Sequence, residues 1–105
     1  MKSDHRFAPE ELRFLRNQIP LHHLMQAFKI LIKLSEGYWR FLCPECKSMN
    51  TAINPRTNLG RCFCCKKNFN TIDITMRDRR LCFVQAVLLL REIREALIRQ
   101  QIIVK

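Results

Sequence analysis

Two cysteine pairs decide the fold of this chain: residues 43–46 read Cys-Pro-Glu-Cys, and residues 62–65 read Cys-Phe-Cys-Cys. This doubled Cys-x-x-Cys spacing is typical of a four-cysteine zinc ribbon. Zn²⁺ prefers four tetrahedral ligands, and each Cys-x-x-Cys turn supplies two sulfurs to one ion. A catalytic zinc keeps an open coordination position and usually has a carboxylate base nearby, and no such base is evident beside these cysteines. We therefore predict one closed, structural Zn²⁺ site formed by Cys43, Cys46, Cys62 and Cys65.

The remaining two cysteines are not expected to bind the metal. Cys64 could replace Cys62 or Cys65 as a ligand, but the spacing favours the outer two residues and directs Cys64 away. Cys82 precedes an apolar helical segment, and we expect it to be a buried structural thiol. Three disulfides are the alternative use of six cysteines. The doubled metal-binding pattern instead indicates a reducing compartment. The first seven residues are polar and charged and do not resemble a signal peptide, so we expect a cytoplasmic protein.

The charge of the chain favours an anionic partner. Its 105 residues indicate one domain, residues 1–105. Nineteen Lys and Arg side chains against nine Asp and Glu give a net charge of +10. Residues 47–67 contain five basic side chains and no acidic one. This imbalance is typical of nucleic-acid binding, although a solvated surface is the simpler explanation. No apolar run reaches the roughly 18 residues of a membrane span, so no membrane partner is expected.

Helical patterns lie at both ends of the chain. Pro9 suits the first turn of a helix, after a loose lead-in over residues 1–8. Residues 21–28 are amphipathic, and residues 29–34 fit either a helix end or a strand. Asn70 and Asp73 form a capping-box pattern for a helix through Met76. The longest apolar periodicity covers residues 81–101. Because its stripe is wider than one interface needs, we expect this helix to pack on the zinc module and also on a partner or a second copy.

Short strands are expected around the cysteines. Residues 38–43, 52–53 and 59–63 read as strands, with a turn at residues 54–58. Alternation along the first strand places Tyr38 and Arg40 on one face and Trp39 and Phe41 on the other. We expect the second pair to be buried. The predicted class is therefore α+β: a zinc ribbon with a small antiparallel sheet flanked by helices.

Several of these segments together resemble the N-terminal zinc-binding domain of bacterial and phage DNA primases. That family reads roughly C-P-x-H, C-F-x-C, a capped I-D-F-x-M helix and a final F-x-(E/Q)-A-V-x-x-L helix. The matching segments here are residues 43–46, 62–65, 70–76 and 83–90. This chain departs from the family at Cys46, where the family has His, and at residues 49–53, which replace the family's K-T-P-S-F segment. The resemblance implies a zinc-ribbon fold that engages single-stranded template DNA.

The resemblance and the charge together define a candidate nucleic-acid surface. We expect Tyr38 to stack on bases and basic residues to contact phosphates. The candidate residues are Tyr38, Arg40, Lys47, Arg56, Arg61, Lys66 and Lys67. No catalytic residue is expected, because the chain lacks the clustered carboxylates of a polymerase.

Three functional hypotheses follow from the sequence. The first is a stand-alone accessory protein that binds single-stranded DNA in replication or in a phage or mobile element. The second is a zinc-stabilised interaction module that docks a partner, or itself, through the C-terminal helix. The third is an N-terminal fragment of a DNA primase. A chain that runs from Met1 to Lys105 favours a complete small protein over the fragment.

Overall fold

A computed structural model describes residues 7–103, and within them the chain forms a five-stranded antiparallel sheet and four helices. The strand order follows the chain, β1-β2-β3-β4-β5. The predicted α+β class, an antiparallel sheet flanked by helices, is confirmed. The elements are α1 (Pro9–Asn17), α2 (Leu21–Ala27), β1 (Ile32–Ser35), β2 (Tyr38–Phe41), β3 (Thr51–Asn54), β4 (Leu59–Cys62), β5 (Asn68–Phe69), α3 (Thr71–Arg79) and α4 (Phe83–Arg99).

The sheet has one buried face and one face open to solvent. Phe41, Thr51 and Cys62 lie opposite one another on β2, β3 and β4, and all three are buried. The neighbouring row consists of Lys33, Arg40, Ala52 and Arg61, which lie on the opposite side because successive side chains alternate. We call this second side the open face. The expected burial of Phe41 is confirmed, while Trp39 on the same side is half-buried.

Glycine is required at one position of the buried face. A Cβ atom at Gly60 would lie 2.7 and 2.8 Å from two ring atoms of Phe41. Real Cβ atoms are not found that close to a carbon. Gly60 therefore lets the Phe41 ring approach strand β4 closely, near the strand end that carries Cys62.

Residues 29–34 lead from the end of helix α2, at Ala27, into strand β1. The helix stops because Lys29 adopts a left-handed φ of 58°, and the Ile30 N–H donates to the Met25 carbonyl at 2.9 Å. This bond closes the last turn. Of the two predicted alternatives for this segment, the strand is the one that forms, from Ile32 onward.

The predicted capping box begins helix α3. The Asp73 N–H donates to Asn70 Oδ1 at 2.8 Å, and the Asn70 N–H donates to Asp73 Oδ2 at 3.0 Å. The helix continues to Arg79, beyond the expected end at Met76, and stops where Arg80 adopts a left-handed φ of 56°.

Helix α4 was expected to pack on the zinc module, but it packs mainly on α1 and α3. Its fully buried side chains include Ala86, Val87 and Leu90, which form the centre of the helical core. Contact with two helices accounts for the width of the apolar stripe within one chain. The width therefore no longer argues for a partner, and the partner remains a prediction.

Two expectations near this helix were wrong. Phe7 does not belong to a loose lead-in: it is buried, and its ring packs edge-to-face on Phe83 at 6.2 Å between centroids. The rest of that lead-in, residues 1–6, lies outside the described residues. Cys82 is exposed and not buried, because it is the N-cap of α4 and so precedes the helical repeat that faces the core.

Asn58, at the end of the β3–β4 turn, joins the sheet to the helices. Its Oδ1 accepts a hydrogen bond from the Leu21 N–H at 3.0 Å, and its Nδ2 donates to the carbonyls of Arg16 and Ile19 at 2.9 and 2.6 Å. The side chain thereby satisfies backbone groups at the α1–α2 junction that helix ends leave unpaired. Its backbone φ is 57°, a left-handed conformation that Asn tolerates better than most residues.

Between residues 7 and 103, no helix is both long enough and apolar enough to cross a membrane.

Candidate metal centre and open sheet face

The two cysteine pairs form turns of the same backbone geometry. In the first turn, the Lys47 N–H donates to the Cys43 carbonyl at 3.0 Å; in the second, the Lys66 N–H donates to the Cys62 carbonyl at 2.8 Å. Both lysines adopt left-handed φ values, 62° and 60°. Each turn therefore reverses the chain in five residues and directs its two thiols inward.

The four predicted cysteines converge on one point. Their Sγ atoms all lie within 4.8 Å of one another, so that together they can hold a metal ion. The shortest separations join thiols of different turns: Cys43 to Cys65 is 3.6 Å, and Cys46 to Cys62 is 3.5 Å. The first cysteine of each turn is buried. Cys64 is exposed and does not belong to the cluster, in agreement with the sequence analysis.

Backbone N–H groups favour the thiolate at the first cysteine of each turn. Burial raises the pKa of Cys62, but the N–H groups of Cys65 and Cys64 and neighbouring thiols outweigh it and lower the pKa to about 6. Burial also opposes ionisation of Cys43, yet the N–H groups of Cys46 and Glu45 lower its pKa. Metal binding needs deprotonated cysteines, so these donors prepare two of the four ligands.

The second cysteine of each turn is shifted in the opposite direction. The Ser48 N–H lowers the pKa of Cys46, but desolvation and the neighbouring thiols raise it to about 12 overall. Burial and the Cys62 and Cys43 thiols raise the pKa of Cys65. Four thiols this close cannot all ionise without a cation between them, which is the electrostatic property expected of a metal site.

Glu45 connects the two turns to helix α3. Its carboxylate forms ion pairs with Lys67 Nζ at 3.5 Å and with Arg77 of α3. The first turn is thereby held against the second turn and against the helix. Lys67, one of the predicted nucleic-acid contacts, thus has its ammonium beside a carboxylate on the α3 side of the metal centre.

The open face carries four of the seven predicted nucleic-acid residues. Tyr38, Arg40, Arg56 and Arg61 line one shallow cavity of about 430 Å³. Tyr38 is 48% exposed, and Arg40 also forms an ion pair with Glu36 at 3.1 Å. Residues far apart in the sequence meet here because β2, β3 and β4 are hydrogen-bonded neighbours.

Phe63 lines the same cavity and is 60% exposed, although it was not among the predicted nucleic-acid residues. Alternation from Arg61 through Cys62 places residue 63 on the open face, so the signal was present in the strand pattern.

The three lysines of the candidate set lie elsewhere. Lys47 lines a different cavity, of about 310 Å³, together with Pro44 and Arg77. Lys66 is exposed in the second turn, and neither it nor Lys67 lines the open-face cavity. The structure therefore separates the candidates into two groups: Tyr38 and three arginines at the sheet, and the lysines near the cysteine cluster.

Comparisons with known proteins identify no relative: no protein-family model, curated protein or solved structure matches this chain. The candidate sites therefore rest on the residues and the geometry described above.

Proposed function

We propose that this chain is a zinc-ribbon module that binds single-stranded DNA on the open face of its sheet. One observation carries the proposal: two exposed aromatic rings, Tyr38 and Phe63, line the same cavity as Arg40, Arg56 and Arg61. Nucleic-acid grooves of single-strand binding proteins combine these same two elements, stacking platforms for bases and cations for phosphates. The role is binding, in replication or in a phage or mobile element, and the chain catalyses no reaction itself.

The preference for single strands follows from the aromatic rings. A base can stack on Tyr38 or Phe63 only when it is not already stacked within a duplex. Each such stack is worth about 1–3 kcal/mol, whereas a duplex offers this surface only its phosphates. The three arginines contribute affinity for both forms, so the aromatic pair supplies the discrimination.

Zinc is the metal that best fits the cysteine cluster. A tetrahedral site with Zn–S bonds of about 2.3 Å places its sulfurs about 3.8 Å apart. The observed 3.5 and 3.6 Å separations between turns are close to that value. Four sulfur donors also favour Zn²⁺ over the oxygen-preferring Mg²⁺ and Ca²⁺. The bound ion would fix the ends of β2 and β4, and so the spacing of the open face.

The resemblance to primase zinc-binding domains supports the same role. There the zinc ribbon engages single-stranded template DNA, and this chain carries four matching motifs between residues 43 and 90. Because residues 49–53 differ from the family's segment, no template-sequence preference is proposed. The N-terminal part of a primase remains the alternative within this class.

The test is a fluorescence-anisotropy titration of a labelled thymidine oligonucleotide against zinc-loaded protein at several salt concentrations. Arg61→Ala should weaken binding and flatten the plot of log affinity against log salt by up to about 0.7, the contribution of one phosphate contact. Phe63→Ala should weaken binding with the slope unchanged, because stacking releases few ions.

Matched controls come from α4. Arg99→Ala removes an exposed cation and Leu88→Ala an exposed apolar side chain, each away from the open face. Both controls should bind as the unmodified protein does. No binding at low salt, or equal losses in Arg61→Ala and Arg99→Ala, would reduce the charge to a solubility feature.

A protein-interaction role is the second candidate, favoured by the exposed edge strand β1. Leu31 and Leu34 at this edge are 72% and 60% exposed, and Leu88 on α4 is 42% exposed. Edge strands with exposed apolar side chains are sites of association. Sedimentation velocity of the protein and of Leu34→Ser tests self-association: an unchanged monomer in both would leave only a heterologous partner.

A further inference from the structure

Another cavity, different from the two described above, opens at the end of the sheet that lies away from the cysteines. It has a volume of about 320 Å³ and lies between the β1–β2 turn at Gly37, the β3–β4 turn at Pro55 and the start of α2 at His22. Tyr38 and Trp39 form aromatic walls. We call it the end cavity.

The end cavity adjoins the open-face cavity. Tyr38, Ile53 and Pro55 line both cavities, so Tyr38 stands on the boundary between them. A DNA strand bound across the arginines therefore has the end cavity beside it at Tyr38.

The two cavities differ in charge. The open-face cavity is lined by three arginines, whereas the residues that line the end cavity include no Lys, Arg, Asp or Glu. Burial and the neighbouring His23 lower the pKa of His22, which favours its neutral ring. Phosphates are therefore attracted to the open face, and the end cavity suits an uncharged, planar group.

The polar groups of the end cavity suit a base edge. Between residues 7 and 103, neither His22 nor the Tyr38 hydroxyl has a side-chain hydrogen-bond partner, whereas the Asn58 amide is fully used by the backbone. A neutral imidazole offers one N–H donor and one nitrogen acceptor. The His22 ring lies parallel to the Trp39 ring, at 7° and 5.9 Å between centroids, so the two rings are offset-stacked.

We propose that the end cavity binds one unpaired nucleobase of the single strand that crosses the open face. This inference rests on the proposed function and adds a position to it. The base would stack against the Trp39 wall, next to Tyr38, and form hydrogen bonds with His22, while its phosphates stay toward the arginines.

The experiment uses zinc-loaded, unmodified protein and thymidine hexamers with a single abasic site moved along the sequence. Because Trp39 is the only tryptophan in the chain, its fluorescence reports directly on this cavity. At one position of the hexamer, removal of the base should weaken binding by about tenfold or more, the typical contribution of a stacked base. We call it the special position. The same removal should abolish most of the Trp39 fluorescence change.

Two adjacent histidines provide the matched variants. His22 lines the cavity and His23 does not. His22→Ala should weaken binding of the intact hexamer several-fold but leave binding of the hexamer abasic at the special position unaffected. His23→Ala removes a ring that contacts His22 but does not line the cavity, so it should weaken binding less than His22→Ala does. If His22→Ala does not fold, His22→Phe replaces it: this variant keeps an aromatic ring without the hydrogen bonds and should give an intermediate loss.

The outcomes separate the two proposals. Hexamer binding with equal losses at all abasic positions, or with an unchanged Trp39 signal, would overturn the end-cavity site and leave the proposed function standing. Absence of hexamer binding at low salt would overturn the proposed function, and the end-cavity site with it.

Discussion

Replacing Asn58 should weaken the packing of the β3–β4 turn on the α1–α2 junction and so lower the stability of the protein. Asn58→Gly keeps the left-handed backbone at no steric cost but removes three hydrogen bonds of 2.6–3.0 Å to buried or half-buried backbone groups. Each bond contributes about 1 kcal/mol net, and two carbonyls and one N–H lose their partner, so we expect a loss of about 3 kcal/mol. Asn58→Ala should cost roughly 1 kcal/mol more, because alanine is strained in this conformation.

Asn58→Asp separates hydrogen bonding from shape. The carboxylate can still accept from the Leu21 N–H, but its second oxygen would face the Ile19 carbonyl at the position where Nδ2 now donates at 2.6 Å. Two acceptors at that distance repel, so the loss should be at least that of the glycine variant. A loss of stability that is smallest for Asn58→Gly and larger for Asn58→Ala and Asn58→Asp would show that the hydrogen bonds and the left-handed backbone both contribute to stability.

The assay is urea unfolding followed by circular dichroism at a fixed, saturating zinc concentration, because zinc binding adds to the measured stability. Asn54→Gly is the control: Asn54 lies in the same turn region, and its one side-chain bond, from the Arg56 N–H at 2.9 Å, is exposed. It should cost less than about 1 kcal/mol. An Asn58→Gly protein within 0.5 kcal/mol of the unmodified one, as a rough limit, would refute the assigned role.

Three further predictions follow from the structure. Replacing Cys43, Cys46, Cys62 or Cys65 by serine should abolish stoichiometric zinc binding in elemental analysis, whereas Cys64→Ser should retain the metal. If only Cys64→Ser lost its zinc, the ligand set would be a different one. Gly60→Ala should destabilise the protein by about 1–3 kcal/mol in urea unfolding, because the added Cβ clashes with Phe41. When Phe41→Leu is added to Gly60→Ala, the additional loss should be smaller than for Phe41→Leu alone. An unchanged stability of Gly60→Ala would contradict the close packing. The hydrogen bond and charge of Arg91 lower the pKa of Glu11. The pair therefore stabilises the fold at pH values above the ordinary Glu pKa of 4.5, and this stabilisation is lost as the pH falls through the lowered pKa. Because zinc also dissociates in acid, the measurement is the melting-temperature difference between the unmodified protein and Glu11→Gln, which should shrink from pH 6 toward pH 3. The control is Glu10→Gln on the same helix, because within residues 7–103 the ion pairs with Arg91 and Arg94 are formed by Glu11.

The sequence by itself determined the features that depend on local spacing. The two Cys-x-x-Cys turns, the Asn70–Asp73 capping box and the alternation of Tyr38 and Arg40 against Phe41 each involve residues within a few positions of one another. Turn geometry, helix capping and strand alternation act over that range, so the residue types alone predict them. For the same reason the α+β class was predictable.

The tertiary structure decided which local features meet. Asn58 appeared to be an ordinary turn residue, and only the approach of the β3–β4 turn to the α1–α2 junction gives its side chain three partners. The width of the apolar stripe on α4 predicted more than one packing partner, but not that these partners would be α1 and α3 of the same chain.

The same holds for the candidate surface. The sequence selected seven residues by charge and aromatic character, but sheet register joins only Tyr38, Arg40, Arg56 and Arg61 and adds Phe63 to them. Lys67 does not line this cavity and forms an ion pair with Glu45 instead. Residue type sets what a side chain can bind, whereas its neighbours are set by strand pairing and packing over long sequence separations, which no local pattern encodes.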